Sequence, residues 1–151
     1  MESEKLDGFQ VIGISVRTTN ENNKSAKDIT DLWAKFMQEG LADKIPNKMD
    51  NSIYSIYTKY ESDYMKPYTT ILGCKVQNLD HIPDGMIGKT ISKANYAKHT
   101  AKGDLTNGVV YNEWTKIWQS NLNRAYSADF EIYGEKAQNP NDAEVDIYVG
   151  I

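Results

Sequence analysis

Cysteine occurs once in this sequence, at Cys74, so no disulfide can form within the chain, a pattern that fits a reducing compartment. Histidine is nearly as scarce. His81 and His99 are the only two, neither has a partner at metal-ligand spacing, and no metal site is expected. Apolar runs are short, well below the roughly 20 residues that span a bilayer. The opening Met1–Asp7 is acidic and polar, with no signal-peptide core behind it, so a cytoplasmic location without a membrane partner is the expectation. No Gly-rich phosphate loop or nucleophile elbow is present, and no cofactor is expected. Lysine and arginine are scattered and the net charge is −4, which leaves no counterion-release affinity for a phosphate backbone and argues against direct nucleic-acid binding.

What remains is an ordinary globular balance, 40% hydrophobic and 25% charged over 151 residues, long enough to bury one core without a staple. A single domain over 1–151 is expected. Tyrosine is the unusual residue, ten against three phenylalanines and three tryptophans. Its apolar body and polar tip suit half-wet cavities as well as strand surfaces.

Periodicity divides the chain into alternating elements. Gly8–Thr18 reads as a strand through Phe9, Val11, Ile12, Ile14 and Val16. After the polar loop Thr19–Lys24, Ser25 stands as an N-cap with Asp28 three positions on. Ile29, Leu32, Trp33, Phe36 and Met37 then mark one face of a helix that Gly40 ends. Ile53–Tyr60 and Tyr68–Val76 are strands joined by a hairpin over Glu61–Pro67, and Asp80–Gly85 is a turn. Beyond it come strand-like runs at Met86–Ile91 and Asn95–Ala101. A second helix opens at Thr106–Gly108, with Val110, Trp114, Ile117 and Trp118 on its apolar face. Strands at Ala128–Glu135 and Val145–Ile151 follow, separated by a turn at Asn139-Pro140-Asn141.

The two halves, approximately 8–78 and 86–151, repeat the order strand, helix, strand, strand. Ser55-Ile56-Tyr57 aligns with Glu131-Ile132-Tyr133, and Leu32-Trp33 with Phe36 occupies the place of Trp114 and Trp118. Two copies are too few for a solenoid. A pair about a pseudo-two-fold axis fits, with a cleft at the junction where ligands tend to bind.

The ending of the chain resembles that of GyrI-like effector-binding domains of AraC-type regulators. The resemblance rests on Asp129-Phe130-Glu131-Ile132-Tyr133-Gly134, the turn at Asn139-Pro140 and the closing Val145-Asp146-Ile147-Tyr148-Val149. Trp114-x-x-Ile117-Trp118 and the opening Phe9–Val16 strand fit as well, and only the usual proline of the closing strand is missing. The resemblance implies an α+β fold of duplicated β-α-β-β units, with antiparallel strands curving into a barrel-like sheet and two helices outside. It also implies a small-molecule sensor. In relatives the domain is often fused to a DNA-binding helix-turn-helix; with no residues left over for one, this chain is expected to act alone or through a partner transcription regulator. Stand-alone relatives bind cationic lipophilic compounds, inhibit DNA gyrase or hydrolyse cyclopropane-bearing antibiotics.

Strand alternation sorts the candidate site. Phe130 and Ile132 share one face, expected to pack beneath the helices. Asp129, Glu131 and Tyr133 share the other, expected to line the cleft with Tyr148, Tyr57 and Ser55. Trp118, near a helix end, is expected to reach the cleft, whereas Trp33 and Trp114 are read as core. Tyr96 is a further candidate whose facing the alternation leaves open. The resemblance makes Glu131 the ligand-binding carboxylate. A buried anion is costly alone, and a cationic, aromatic ligand would offset it with cation–π contacts of about 0.5–2 kcal/mol. Binding is the leading reading. The rivals are hydrolysis, with Glu131 as general acid or base, and a protein-binding module of the gyrase-inhibitor kind.

Overall fold

The computed structural model describes residues 2–62, 66–120 and 122–151. Strands β1 (Glu2–Leu6) and β2 (Phe9–Thr18) precede helix α1 (Lys24–Gln38), and β3 (Ile53–Thr58) and β4 (Tyr68–Val76) follow it. The order then recurs: β5 (Ile87–Ile91), β6 (Ala94–Gly103), α2 (Val109–Gln119), β7 (Ala128–Tyr133) and β8 (Ala143–Gly150). Corresponding strands match in length, five residues in β1 and β5, ten in β2 and β6, six in β3 and β7.

All eight strands join one antiparallel sheet in the order β1-β6-β8-β7-β3-β4-β2-β5. β1 runs on into β2 and β5 into β6, so the ladders β1·β6 and β2·β5 act as one ribbon that ties the sheet's ends into a barrel-like curl. The halves meet at β3·β7, where Ser55 lies directly opposite Glu131. At the pair Gly13 and Gly73 the strands approach so closely that a Cβ on Gly13 would stand 2.1 Å from the Leu72 carbonyl oxygen.

Both helices lie on one face. α1 buries Leu32 and Phe36 against Ile12, Ile14, Leu72 and Cys74. α2 sets Trp114 and Ile117 on Ala101, Val145, Ile147 and Val149. The other face carries Val11, Tyr54, Ile56, Ile71, Tyr96 and Phe130. Burying one such aliphatic or aromatic side chain contributes about 1.5–3 kcal/mol, so all three clusters matter to the fold.

Several boundaries differ from the sequence reading. β1 was not expected: its Glu-Ser-Glu-Lys-Leu sequence has no strand signature, and pairing to β6 at the sheet edge makes it one. α1 begins at Lys24 after Asn23 in the left-handed region, so Ser25 lies inside the helix and is not its cap. Asp28 instead accepts from Lys24 Nζ at 2.6 Å and Thr18 Oγ1 at 2.8 Å. Gly40, at φ +59°, follows the end of α1, the backbone conformation that glycine adopts freely. Met37, placed on the apolar face by periodicity, is 60% exposed. The expected hairpin over 61–67 falls partly on residues 63–65, outside the described residues; its base is closed by the Glu61 amide donating to the Pro67 carbonyl at 2.9 Å.

Candidate functional site

The cavity lies between the two helices and the sheet. It measures about 610 Å³ and its walls come from both halves: Trp33 and Ile29 of α1, Trp114 and Trp118 of α2, and Tyr57, Tyr68, Glu131 and Tyr133 of the strands. Tyr60 and Arg124, from the segments beside β3 and β7, complete it. Helical spacing brings Trp114 and Trp118 to one face four residues apart, and their rings lie 6.4 Å apart. Trp33 meets Tyr133 edge-to-face at 4.8 Å, and Trp114 meets Tyr57 the same way at 5.7 Å.

Glu131 is the polar centre. It is 2% exposed and receives three hydrogen bonds, all from neutral groups. Tyr133 Oη donates to Oε1 at 2.6 Å, while Tyr57 Oη at 2.8 Å and Trp114 Nε1 at 2.6 Å donate to Oε2. Ser55 Oγ donates in turn to Tyr57 Oη at 3.2 Å. No lysine, arginine or histidine forms an ion pair with Glu131 among the described residues. Burial pushes the Glu131 carboxyl above its ordinary range, and the three donors pull back against it. Burial and the adjacent carboxylate push Tyr57 and Tyr133 well above the usual phenol range, so both stay protonated and keep donating.

A second carboxylate, Asp129, shares this face two residues away and is fully satisfied. Arg124 Nη2 donates to it at 2.7 Å, the Gly150 amide at 2.8 Å, and Tyr60 Oη as well. The two carboxylates thus differ in kind: Asp129 is neutralised by a cation and Glu131 is not. No group of three or more His, Cys, Asp or Glu side chains among the described residues could hold a metal ion.

Glu131, Tyr133, Tyr57 and Trp118 line this cavity, and Ser55 stands just behind, bonded to Tyr57. Trp33 and Trp114, read as core from the sequence, line it too. Tyr148 and Tyr96 do not. Antiparallel partners share a face, and Phe130 pairs with Tyr148 while Glu131 pairs with Ile147. Tyr148 accordingly stacks on Phe130 at 5.0 Å on the opposite face, with Tyr96 edge-on to Phe130 at 5.2 Å. The face assignment is therefore corrected: Glu131 points toward the helices, and Phe130 and Ile132 point away. Within β7 alternation gave the right two sets of residues, but it could not say which one the helices cover, and it joined Tyr148 of β8 to the wrong one. Tyr60, Tyr68 and Arg124 were missed. Only the tyrosine excess hinted at the first two.

The family model for the integron-associated effector-binding protein Cass2 matches residues 3–151. The chain belongs to the Cass2 effector-binding family. Among solved structures, the integron cassette protein VCH_CASS2 from the mobile metagenome of Vibrio cholerae is 30% identical, with a TM-score of 0.77 over 99% of this chain and 94% of that one. The regulator-like protein YobU of Bacillus subtilis (strain 168) is 27% identical over 97% of this chain and 94% of its own length. SAV2435, solved bound to tetraphenylphosphonium, shares the fold at a TM-score of 0.79, 16% identity and 99% and 92% coverage. The α+β fold with a barrel-like sheet expected from the GyrI-like resemblance is therefore the fold of this Cass2 family member. No helix among its described residues is long and apolar enough to cross a membrane.

Proposed function

We infer that this Cass2 family protein binds lipophilic, cationic aromatic compounds in the cavity between its helices, as a sensor or sequestering module for a regulatory response. One observation carries the reading. A buried carboxylate sits on an aromatic wall with three neutral donors and no cation of its own. An ionised carboxylate out of water costs several kcal/mol unless paired. Hydrogen bonds to a charged group return about 1.5–3 kcal/mol each, and a cationic ligand would supply the missing countercharge. Trp33, Trp114, Trp118 and the tyrosines offer flat faces for a delocalised cation, at about 0.5–2 kcal/mol per contact. Such a surface discriminates weakly between ring shapes, which favours a broad ligand range. The tetraphenylphosphonium complex of SAV2435, on the same fold, supports the ligand class. The regulator-like relative YobU supports the regulatory role.

Tryptophan fluorescence titration tests this directly, because three tryptophans line the cavity. Tetraphenylphosphonium is expected to quench saturably and to bind at least tenfold more tightly than its neutral four-ring isostere tetraphenylsilane; equal affinities would remove the role of the charge. The upward shift of Glu131 keeps a second reading in view, general acid–base hydrolysis. Against it, both carboxylate oxygens already accept hydrogen bonds. Product analysis of an ester-bearing ligand after incubation separates the two readings: binding alone returns it unchanged.

A further inference from the structure

Arg124 lines the same cavity, and the inference it carries rests on the binding reading above. Its side chain is 4% exposed and lines the cavity wall. One nitrogen, Nη2, is committed to Asp129 at 2.7 Å. The other two, Nε and Nη1, are buried and have no hydrogen-bond partner among the described residues. A guanidinium carries five N–H donors in a planar fork, and buried donors without acceptors are costly. Rings hold the group in place, with Cζ 4.3 Å from the Tyr126 centroid and 5.7 Å from that of Trp114.

Its position relative to Glu131 is defined through a shared neighbour. The same Trp114 whose ring flanks Arg124 donates its Nε1 to Glu131. Asp129 and Glu131 stand two apart on β7, about 6.6 Å at the usual strand rise of ~3.3 Å per residue. Arg124 and Glu131 are thus both in contact with Trp114 and both line the cavity.

We propose that Arg124 is a specificity-determining residue that donates to an acceptor oxygen of the ligand, so that the site prefers a lipophilic cation that also bears a carbonyl-type oxygen. The acceptor is neutral rather than anionic for a reason of charge. Asp129 already balances the guanidinium, and an added carboxylate would face both Asp129 and Glu131 at short range. Arg124 itself lies between α2 and β7, outside any helix or strand.

The test uses three arylphosphonium probes against the whole protein: tetraphenylphosphonium, (4-acetylphenyl)triphenylphosphonium and its isosteric (4-isopropylphenyl) counterpart. The acetyl compound is expected to bind about tenfold more tightly than the isopropyl one. Arg124→Lys, which keeps a cation on Asp129 but loses the planar fork, is expected to reduce that preference to within about twofold while tetraphenylphosphonium still binds. The double variant Arg124→Gln with Asp129→Asn removes both charges together and is expected to behave the same way, which guards against a folding defect in either variant. Tetraphenylphosphonium binding without an acetyl preference, or a preference that survives in both variants, would overturn the role of Arg124 and leave the cation site standing. A (4-carboxyphenyl) probe binding more tightly than the acetyl one would overturn the choice of a neutral acceptor. Failure of every phosphonium to bind would overturn both readings.

Discussion

The two faces of β7 carry opposite chemistries on adjacent residues. On one, Phe130 packs among Phe9, Tyr54, Tyr96 and Tyr148, ring on ring at 5.0 to 6.5 Å. On the other, Asp129, Glu131 and Tyr133 enter a polar network with Tyr57, Trp114 and Arg124 beside open space. Both faces are deeply buried: Phe130 and Glu131 are each 2% exposed. Burial alone therefore does not separate core from site. What separates them is whether the buried groups are satisfied by packing alone or hold a charge that lacks a partner.

The largest expected effect lies on the packed face. Phe130→Ala should cost about 3–5 kcal/mol, the usual result of truncating a buried phenylalanine, read from chemical denaturation; the surviving folded fraction should still prefer a cation over a neutral ligand. A loss below about 1 kcal/mol would mean that this face is not the tight core described.

The polar face should show itself through pH. Burial raises the Glu131 carboxyl above its unfolded value, so its contribution to stability is fully present below the unfolded carboxylate range of about 4.3. That contribution is lost as pH rises through the raised folded value. A bound cation favours the ionised form and shifts the trend the other way, so affinity for tetraphenylphosphonium should rise over the same interval. Calorimetry in two buffers of different ionisation heat should show proton release on binding within that interval. Affinity that is flat with pH there would mean that Glu131 is already ionised throughout.

Two smaller effects sharpen the comparison. Tyr148→Phe, on the packed face, should change tetraphenylphosphonium affinity by less than about threefold, since Tyr148 lies across the sheet from the cavity. Ser55→Ala should act weakly and without regard to ligand charge. It removes one neutral hydrogen bond to Tyr57, worth about 0.5–1.5 kcal/mol. A selective loss of cation affinity in either variant would redraw the boundary of the site.

The sequence carried the repeat, both helices, the long strands and the residues of β7 that share a face, because periods of two and 3.6 leave a direct trace. Three things left none. β1 is a strand only by virtue of its partner β6. The side of the sheet covered by helices follows from register with β8, and no local pattern encodes it. Arg124 sits in an irregular segment and reaches Asp129 five residues on, a contact that no periodicity announces. Glu131 itself became a candidate through its motif, whereas its isolation from cations is a property of the folded neighbourhood.

The central claim is that Glu131 serves the cavity as an unpaired countercharge rather than as a structural hydrogen-bond hub. Glu131→Gln tests it most directly, since the amide keeps the shape and can still meet Tyr133, Tyr57 and Trp114 while removing the charge. Calorimetric titration of wild type and variant with tetraphenylphosphonium and with its neutral isostere tetraphenylsilane should show the cation weakened tenfold or more, about 1.4 kcal/mol or greater, and the neutral compound weakened by less than about threefold. Equal losses for the two ligands, or none for either in a variant that folds normally, would contradict it and make Glu131 part of the scaffold.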